Sequence, residues 1–158
     1  MDDREFEPVS GRCECGAIEY RVIAAAQELY HCHCSRCRRL HGTLFATYAC
    51  VLREHLKVEA GADSLSTYRS ELATWRFCRV CGCHLFAEHN HNPGVAWYMP
   101  ATLDGELTPG HPSGSEKHIF VGSMSPLDRI TDELPQFEEY APAAASATSR
   151  KVSGAVWP

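Results

Sequence analysis

Three short cysteine clusters constrain the fold of this chain more than any other feature of its sequence. All but one of its nine cysteines lie in these clusters, and the exception is Cys50. Cysteines in so dense a pattern are disulfide-bonded, bound to a metal or free, and each case implies a different kind of fold. The clusters are Cys13-x-Cys15, Cys32-x-Cys34-x-x-Cys37 and Cys78-x-x-Cys81-x-Cys83.

The N-terminal sequence favours a reducing compartment. Residues 1–7 lack the basic and apolar regions of a secretory signal, and no apolar run approaches the roughly 20 residues that span a bilayer. We therefore expect a soluble, cytoplasmic protein with no membrane partner. Because a reducing cytosol disfavours disulfides, clustered cysteines there are more often thiolate ligands of a metal.

The Cys-x-x-Cys turns are typical of zinc sites. Tetrahedral Zn²⁺ binds four soft or borderline donors, and one such turn directs two thiolates at the same ion. Glycines follow two of the predicted ligands, Gly16 after Cys15 and Gly82 after Cys81, where they allow a tight turn around the metal. A thioredoxin-like redox motif is a weaker interpretation, since neither Cys-x-x-Cys follows a convincing strand and opens a long helix.

Spacing alone does not decide which clusters share an ion. On spacing alone, a Cys₄ site made of Cys34, Cys37, Cys78 and Cys81 is as acceptable as any other pairing of clusters. Seven ligands divide naturally as four plus three, and three protein ligands with one open position are usual for catalytic zinc. The sequence therefore predicts one closed structural site and one reactive site.

Hydrophobic periodicity predicts a mainly β fold. Ile18, Tyr20 and Val22 alternate with polar residues, which is the pattern of a strand with one buried face. Similar runs rich in β-branched and aromatic residues occupy 44–48, 95–99 and 119–121.

Helical turns, loops and a tail complete the predicted organisation. We expect a turn of helix from Ser35 and a helix over 125–134, where Ser125-Pro126 is typical of an N-cap and a first-turn proline. Residues 90–116 read as loops around a short strand. The small, polar residues of 141–158 predict a flexible C-terminal tail after a single domain over 1–140.

The charge balance argues against nucleic acid as a partner. The chain has 15 Lys and Arg against 20 Asp and Glu, a net charge of −5, and no basic run. Such a surface attracts a phosphate backbone only weakly.

Five segments, taken in order, resemble one enzyme family. They are the opening Gly-Arg-Cys-Glu-Cys-Gly of 11–20, the His-Cys-His-Cys-Ser-Arg-Cys of 31–42, the Phe-Cys-Arg-Val-Cys-Gly of 77–82, and residues 117–123 and 132–137. Together they resemble the glutathione-dependent formaldehyde-activating enzyme family, which includes the centromere protein V-type proteins. The resemblance runs from about residue 10 to residue 138.

This resemblance implies a β-tent zinc-binding fold with two zinc ions per chain. It implies a structural zinc bound by Cys13, Cys15, Cys78 and Cys81. It implies a second, catalytic zinc bound by Cys32, Cys34 and Cys37. The reaction it implies is that of a carbon–sulfur lyase, which joins the thiol of glutathione, or a related thiol, to formaldehyde or another small aldehyde to give S-hydroxymethylglutathione or its analogue.

An open zinc site suits this chemistry. Zinc can hold a substrate thiolate or polarise an aldehyde oxygen, and three thiolate ligands favour the first role because they weaken its Lewis acidity. The carboxylates of glutathione need cations, for which Arg36, Arg38 and Arg39 are candidates; simple surface arginines are the alternative.

Other residues leave a second function open. His33 and His41 are each candidates to complete the second site or to move a proton, although a structural role is more common. If His41 or another side chain closed that site, the chain would be a non-catalytic binding module with two structural metals. Cys50 and Cys83 are interpreted as packed thiols, with Cys83 as an alternative ligand in place of a neighbour in the third cluster. The aromatic residues Trp75, Phe77, Trp97 and Tyr98 are interpreted as core.

Overall fold

The computed structural model describes residues 6–142. In this part of the chain one α-helix, Ser35–His41 (α1), accompanies eleven strands and several 3-10 turns. The strands, numbered β1 to β11 in chain order, are Val9–Arg12, Glu19–Val22, Glu28–Cys32, Ala46–Leu52, Leu56–Ala60, Leu65–Arg69, Ala73–Cys78, His84–His89, Val95–Tyr98, Glu116–Ile119 and Gln136–Phe137.

The smaller of two sheets carries the first cysteine cluster at the end of its first hairpin. Its strands are antiparallel in the order β1-β2-β5. Along β2, Tyr20 and Val22 are buried while Glu19 and Arg21 are exposed, because successive side chains point to opposite faces of a sheet. The alternating pattern thus predicted this strand correctly.

The larger sheet places the other two clusters. Its order is β11-β10-β3-β4-β9-β8-β7-β6, with β10 parallel to β3 and β11 and the other pairs antiparallel. Cys32 ends β3 and Cys78 ends β7. Two buried clusters stabilise the fold, one around Tyr20, Phe86 and Tyr98 and one that contains Cys32. The predicted mainly β fold with short helical turns is confirmed.

Helix α1 begins at Ser35, as predicted, and its two ends are capped. Cys34 is its N-cap, and the Sγ atom accepts a hydrogen bond from the backbone N–H of Cys37 at 3.3 Å. Gly42 ends the helix with φ = 60°, a left-handed conformation that glycine adopts without strain. This turn brings Cys34 and Cys37 to the same end of the helix.

The predicted helix over 125–134 is wrong. Ser125 opens only one turn, in which the backbone N–H of Asp128 donates to the Ser125 carbonyl at 2.9 Å and that of Leu127 to its Oγ at 3.2 Å. Further on, Asp132 Oδ1 accepts from the N–H of Leu134 at 3.0 Å. These side-chain hydrogen bonds compete with helical ones. Asp128 also contacts His33 and Asp132 contacts His118, and these tertiary contacts keep the segment non-helical.

Other boundaries differ in detail. The predicted strand over 119–121 ends at Ile119, because Phe120 has φ = 59° and begins a 3-10 turn. Strands β1, β3, β5, β6, β7, β8 and β11 were not predicted, whereas the short strand expected within 90–116 is β9. The predicted tail falls largely on 143–158, outside the described residues. Within residues 6–142, no helix is both long and apolar enough to cross a bilayer.

Candidate metal centres and the adjoining cavity

Four cysteines from distant segments converge at one end of the smaller sheet. The Sγ atoms of Cys13, Cys15, Cys78 and Cys81 all lie within 4.8 Å of one another. The Cys13–Cys15 pair is 3.6 Å apart and the Cys15–Cys78 pair 3.8 Å. Tetrahedral zinc with bonds of about 2.3 Å would separate its sulfur ligands by about 3.8 Å. This donor set therefore fits a closed zinc site.

Two matching turns hold these sulfurs in place. Gly16 has φ = 74° and donates its N–H to the Cys13 carbonyl at 3.0 Å; Gly82 has φ = 77° and donates to the Cys78 carbonyl at 2.8 Å. The N–H of Ile18 donates to Cys13 Sγ at 3.3 Å. Such hydrogen bonds orient a thiolate and disperse its charge.

Sequence spacing left the pairing open, and the structure brings together the set that the family resemblance implied. Cys13 and Cys78 are buried, whereas Cys15 and Cys81 are exposed. Backbone hydrogen bonds, that from Cys15 first and that from Cys83 second, lower the pKa of Cys81 to about 6. This sulfur therefore has thiolate character at neutral pH. The role of the four as ligands stays a prediction.

Three further cysteines form a second group where β3 meets α1. The Sγ atoms of Cys32, Cys34 and Cys37 lie within 4.8 Å of one another. The hydroxyl of Tyr48, on β4, donates a hydrogen bond to Cys37 Sγ at 3.5 Å. Hydrogen bonds from Cys32 and Cys37 lower the pKa of Cys34, which favours the thiolate form of this sulfur. These donors fit zinc as well, and their ligand role also stays a prediction.

The second group has three protein donors. Among residues 6–142, no fourth His, Cys, Asp or Glu joins it at the same mutual distances. His41 directs its Nε2 atom to the Tyr48 hydroxyl at 2.9 Å, and its ring lies 4.7 Å from that of His84. Burial, followed by the effect of His84, lowers the pKa of His41 to about 4. His41 is therefore neutral at pH 7, and it is linked to Cys37 through the Tyr48 hydroxyl.

His33 is used in a different place. Its side chain is buried, with Nδ1 2.9 Å from Asp128 Oδ2 and Nε2 2.8 Å from His118 Nδ1. The Nε2 atom of His118 lies 3.2 Å from both carboxylate oxygens of Asp132. This network ties the residue between Cys32 and Cys34 to the C-terminal segment. The sequence patterns did not predict it, because His33 lies 85 positions from His118 and no short spacing relates the two.

A cavity of about 310 Å³ opens beside the second group. Cys32, Cys34 and Cys37 form part of its wall. Much of the rest is aromatic: Tyr30, Tyr48, Trp75, Trp97, Phe120 and Tyr140. Trp75 and Trp97 are buried, as predicted for core residues. They also line the cavity, a role that was not predicted for them.

The three candidate arginines differ in position. Arg36 is exposed and lies on the cavity wall. Arg38 donates from Nε to the His33 carbonyl at 3.3 Å and from Nη2 to the Ser123 carbonyl at 3.2 Å, so it binds the backbone. Arg39 is exposed and does not line the cavity. Only Arg36 is thus placed to contact a ligand in the cavity.

Comparison with known proteins identifies the family. Residues 8–123, more than half of the chain, match the family model described as glutathione-dependent formaldehyde-activating enzyme. Two curated relatives carry the same name provisionally. One, from Penicillium rubens, is 33% identical over 78 residues, which are 48% of this chain and 41% of the relative. The other, from Aspergillus flavus, is 41% identical over 56 residues, which are 35% of this chain and 29% of the relative.

The match therefore spans about two fifths or less of the length of these relatives. A crystal structure of a Rhodobacter sphaeroides protein is similar with a TM-score of 0.53 and 32% identity, covering 63% of this chain and 91% of that protein. The extent of the family match, together with the two cysteine groups, places this chain in the glutathione-dependent formaldehyde-activating enzyme family.

Proposed function

We propose that this chain is a zinc-dependent enzyme of the carbon–sulfur lyase type, which forms or cleaves the adduct of glutathione, or a related thiol, with formaldehyde or another small aldehyde. The observation that carries the proposal is the group of Cys32, Cys34 and Cys37, three sulfurs without a fourth protein donor among residues 6–142, in the wall of a cavity. A three-donor site that leaves one position for substrate is typical of catalytic zinc.

The two groups have different roles in this proposal. The four-cysteine group holds one zinc ion and joins the smaller sheet to the end of β7, a structural role. A zinc ion held by the three-cysteine group would lower the pKa of a substrate thiol and keep it as a thiolate at neutral pH. We assign both groups to a domain over 1–140 and expect it to work in the cytoplasm, where the cysteines stay reduced.

The residues around the second group have supporting roles. The Tyr48 hydroxyl donates to Cys37 and so stabilises the negative charge of that sulfur. Burial raises the pKa of Tyr48 far above its usual value, which keeps this proton on the hydroxyl. Arg36, on the wall, can bind a carboxylate of glutathione. The apolar walls limit the access of water to the reacting groups.

The reaction is an addition without oxidation or reduction. The substrate sulfur supplies an electron pair to the carbonyl carbon, a C–S bond forms and the C=O π bond breaks. The proton of the thiol ends on the former carbonyl oxygen, which gives the hydroxymethyl thioether. Cleavage runs through the same changes in reverse.

The experiment compares zinc content and exchange rate in three proteins. We expect about two zinc ions per wild-type chain, and acceleration of S-hydroxymethylglutathione formation measured by NMR exchange of glutathione with formaldehyde. Cys34→Ala should lose one zinc and the acceleration. Cys50→Ala, which removes a buried thiol outside both groups, is the matched control and should keep both.

Two results would overturn the proposal. Full zinc content in Cys34→Ala would remove the second site. Two zinc ions in the wild type with no acceleration of the exchange would leave the alternative function, a binding module with two structural metals.

A further inference from the structure

We propose that the cavity beside the three-cysteine group binds the aromatic substituent of an aldehyde larger than formaldehyde. This inference rests on the proposed function and narrows its substrate class. Three features support it: the volume of the cavity, the arrangement of its aromatic walls and, apart from the three cysteines, the small number of charged side chains that line it.

The cavity is much larger than formaldehyde requires. Its volume of about 310 Å³ lies at the lower end of the range of roughly 300–1,000 Å³ that small-molecule sites occupy. Formaldehyde has two non-hydrogen atoms, and one water fills about 30 Å³ of the liquid. Most of the cavity would therefore remain unfilled around formaldehyde, next to apolar walls that offer water few hydrogen bonds.

The register of the larger sheet creates a slot between two aromatic side chains. Trp75 on β7 pairs with Ala87 on β8, and Ala87 pairs with Trp97 on β9. All three residues line the cavity. The slot is the part of the cavity beside the small methyl group of Ala87, between these two tryptophans in the register, and flat rings bind well beside indoles by stacked or edge-to-face contacts.

This slot is continuous with the reactive sulfurs. Tyr48 contacts Cys37 through its hydroxyl and packs with Trp75 and Trp97 in the same buried cluster. The ring of Tyr30 lies 5.7 Å from that of Tyr48. A substrate carbonyl near the sulfurs can thus have its substituent among these rings.

The mouth of the cavity is also apolar. Leu72 and Tyr140 line it although 47% and 62% of their surfaces are exposed. The ring of Phe120 lies 4.7 Å from that of Tyr140. Phe120 has φ = 59°, an unfavourable conformation for a bulky residue, which proteins retain mainly at functional sites.

Glutathione itself does not account for these walls. The tripeptide carries two carboxylates and an ammonium group, whereas Arg36 is the one arginine or lysine that lines the cavity, and no aspartate or glutamate of the described chain does so. We place the peptide at the mouth, with one carboxylate at Arg36 and its thiol directed inward. The aromatic slot is then left for the substituent of the aldehyde.

The reaction with such an aldehyde balances as the parent reaction does. The thiol adds across the C=O bond, with a new C–S bond at the carbonyl carbon and the thiol proton on the oxygen. The product is a hemithioacetal with an arylalkyl substituent, and no oxidant or reductant is needed.

The test compares phenylacetaldehyde with formaldehyde on the zinc-loaded, full-length wild type with glutathione. We expect the acceleration over the uncatalysed rate to be at least about 10-fold larger for phenylacetaldehyde, the size of effect that filling an apolar pocket produces. As a readout independent of turnover, the unreactive analogue 2-phenylethanol should bind saturably and change the tryptophan fluorescence.

Two variants locate the effect. Ala87→Leu fills the slot, so the ratio of the two accelerations should fall about 10-fold and the fluorescence response should be lost. Ala101→Leu adds the same side chain at an exposed position that does not line the cavity, and its ratio should stay within about twofold of wild type.

The outcomes separate this inference from the proposed function. Acceleration of the formaldehyde reaction alone, with no response to 2-phenylethanol, would overturn the aromatic substrate class and leave the proposed function standing. No acceleration with either aldehyde would overturn the proposed function and this inference with it. An unchanged ratio in Ala87→Leu would show that the slot does not bind the substituent.

Discussion

Removal of the Tyr48 hydroxyl should weaken zinc binding at the three-cysteine group. This hydroxyl donates to Cys37 Sγ at 3.5 Å and contacts His41 Nε2 at 2.9 Å. In Tyr48→Phe the ring that lines the cavity is retained, while Cys37 loses a hydrogen bond that stabilises its thiolate form. The four-cysteine group makes no such contact and should keep its metal.

The magnitude follows from the loss of one hydrogen bond to a metal ligand. Such losses typically lower metal affinity about 10- to 100-fold, or about 1.4–2.8 kcal/mol of binding free energy. The Tyr48 side chain is 4% exposed, so water cannot readily replace the missing donor. We expect the upper half of this range.

The assay is a competition for zinc between the protein and a chromophoric chelator, analysed for two sites. Tyr98→Phe is the matched control, because Tyr98 is also buried and its hydroxyl has no hydrogen-bond partner in the described structure. That variant should leave both zinc affinities unchanged and stability equal or higher. Equal zinc affinities in wild type and Tyr48→Phe would refute a role for this hydroxyl at the site.

Two further predictions concern stability. Gly61 and Gly42 have φ = 75° and 60°, but a Cβ at Gly61 would lie 1.7 Å from the Ala17 carbonyl oxygen, whereas one at Gly42 meets open space. In urea unfolding, Gly42→Ala should cost about 1 kcal/mol and Gly61→Ala about 1–3 kcal/mol more, and equal costs would contradict the steric explanation. The second prediction is a dependence on pH at His41, where burial, and then His84, lowers the pKa to about 4. As the pH falls, His41 is protonated near pH 6.5 in the unfolded chain but only near pH 4 in the folded protein. The contribution of neutral His41 to stability is therefore complete above pH 6.5 and is lost as the pH falls to 4. Between pH 6.5 and pH 4, the free energy of unfolding of His41→Gln should therefore fall by up to about 3 kcal/mol less than that of wild type. Equal decreases in the two proteins would contradict the lowered pKa of His41.

Some of the local structure followed from the sequence, where local forces decide it. The alternation around Tyr20 fixes which face of β2 is buried, and the helix that begins at Ser35 has a capping side chain before it and Gly42 after it. The helix predicted over 125–134 failed where local signals met tertiary ones. Asp128 is only 2.9 Å from His33, and this buried contact outweighs the preference of Ser125-Pro126 to begin a helix.

The cysteine clusters alone predicted groups of thiols that could hold metal ions, because the residue types and their spacing are covalent properties of the chain. The two sheets decided which clusters meet. They bring the end of β7 to the first hairpin, and the group of Cys32, Cys34 and Cys37 forms separately. The cavity also depends on the tertiary structure, since the register of β7, β8 and β9 sets Ala87 between Trp75 and Trp97. Contacts between residues far apart in sequence arise from the packing of the whole sheet, and no local pattern records them.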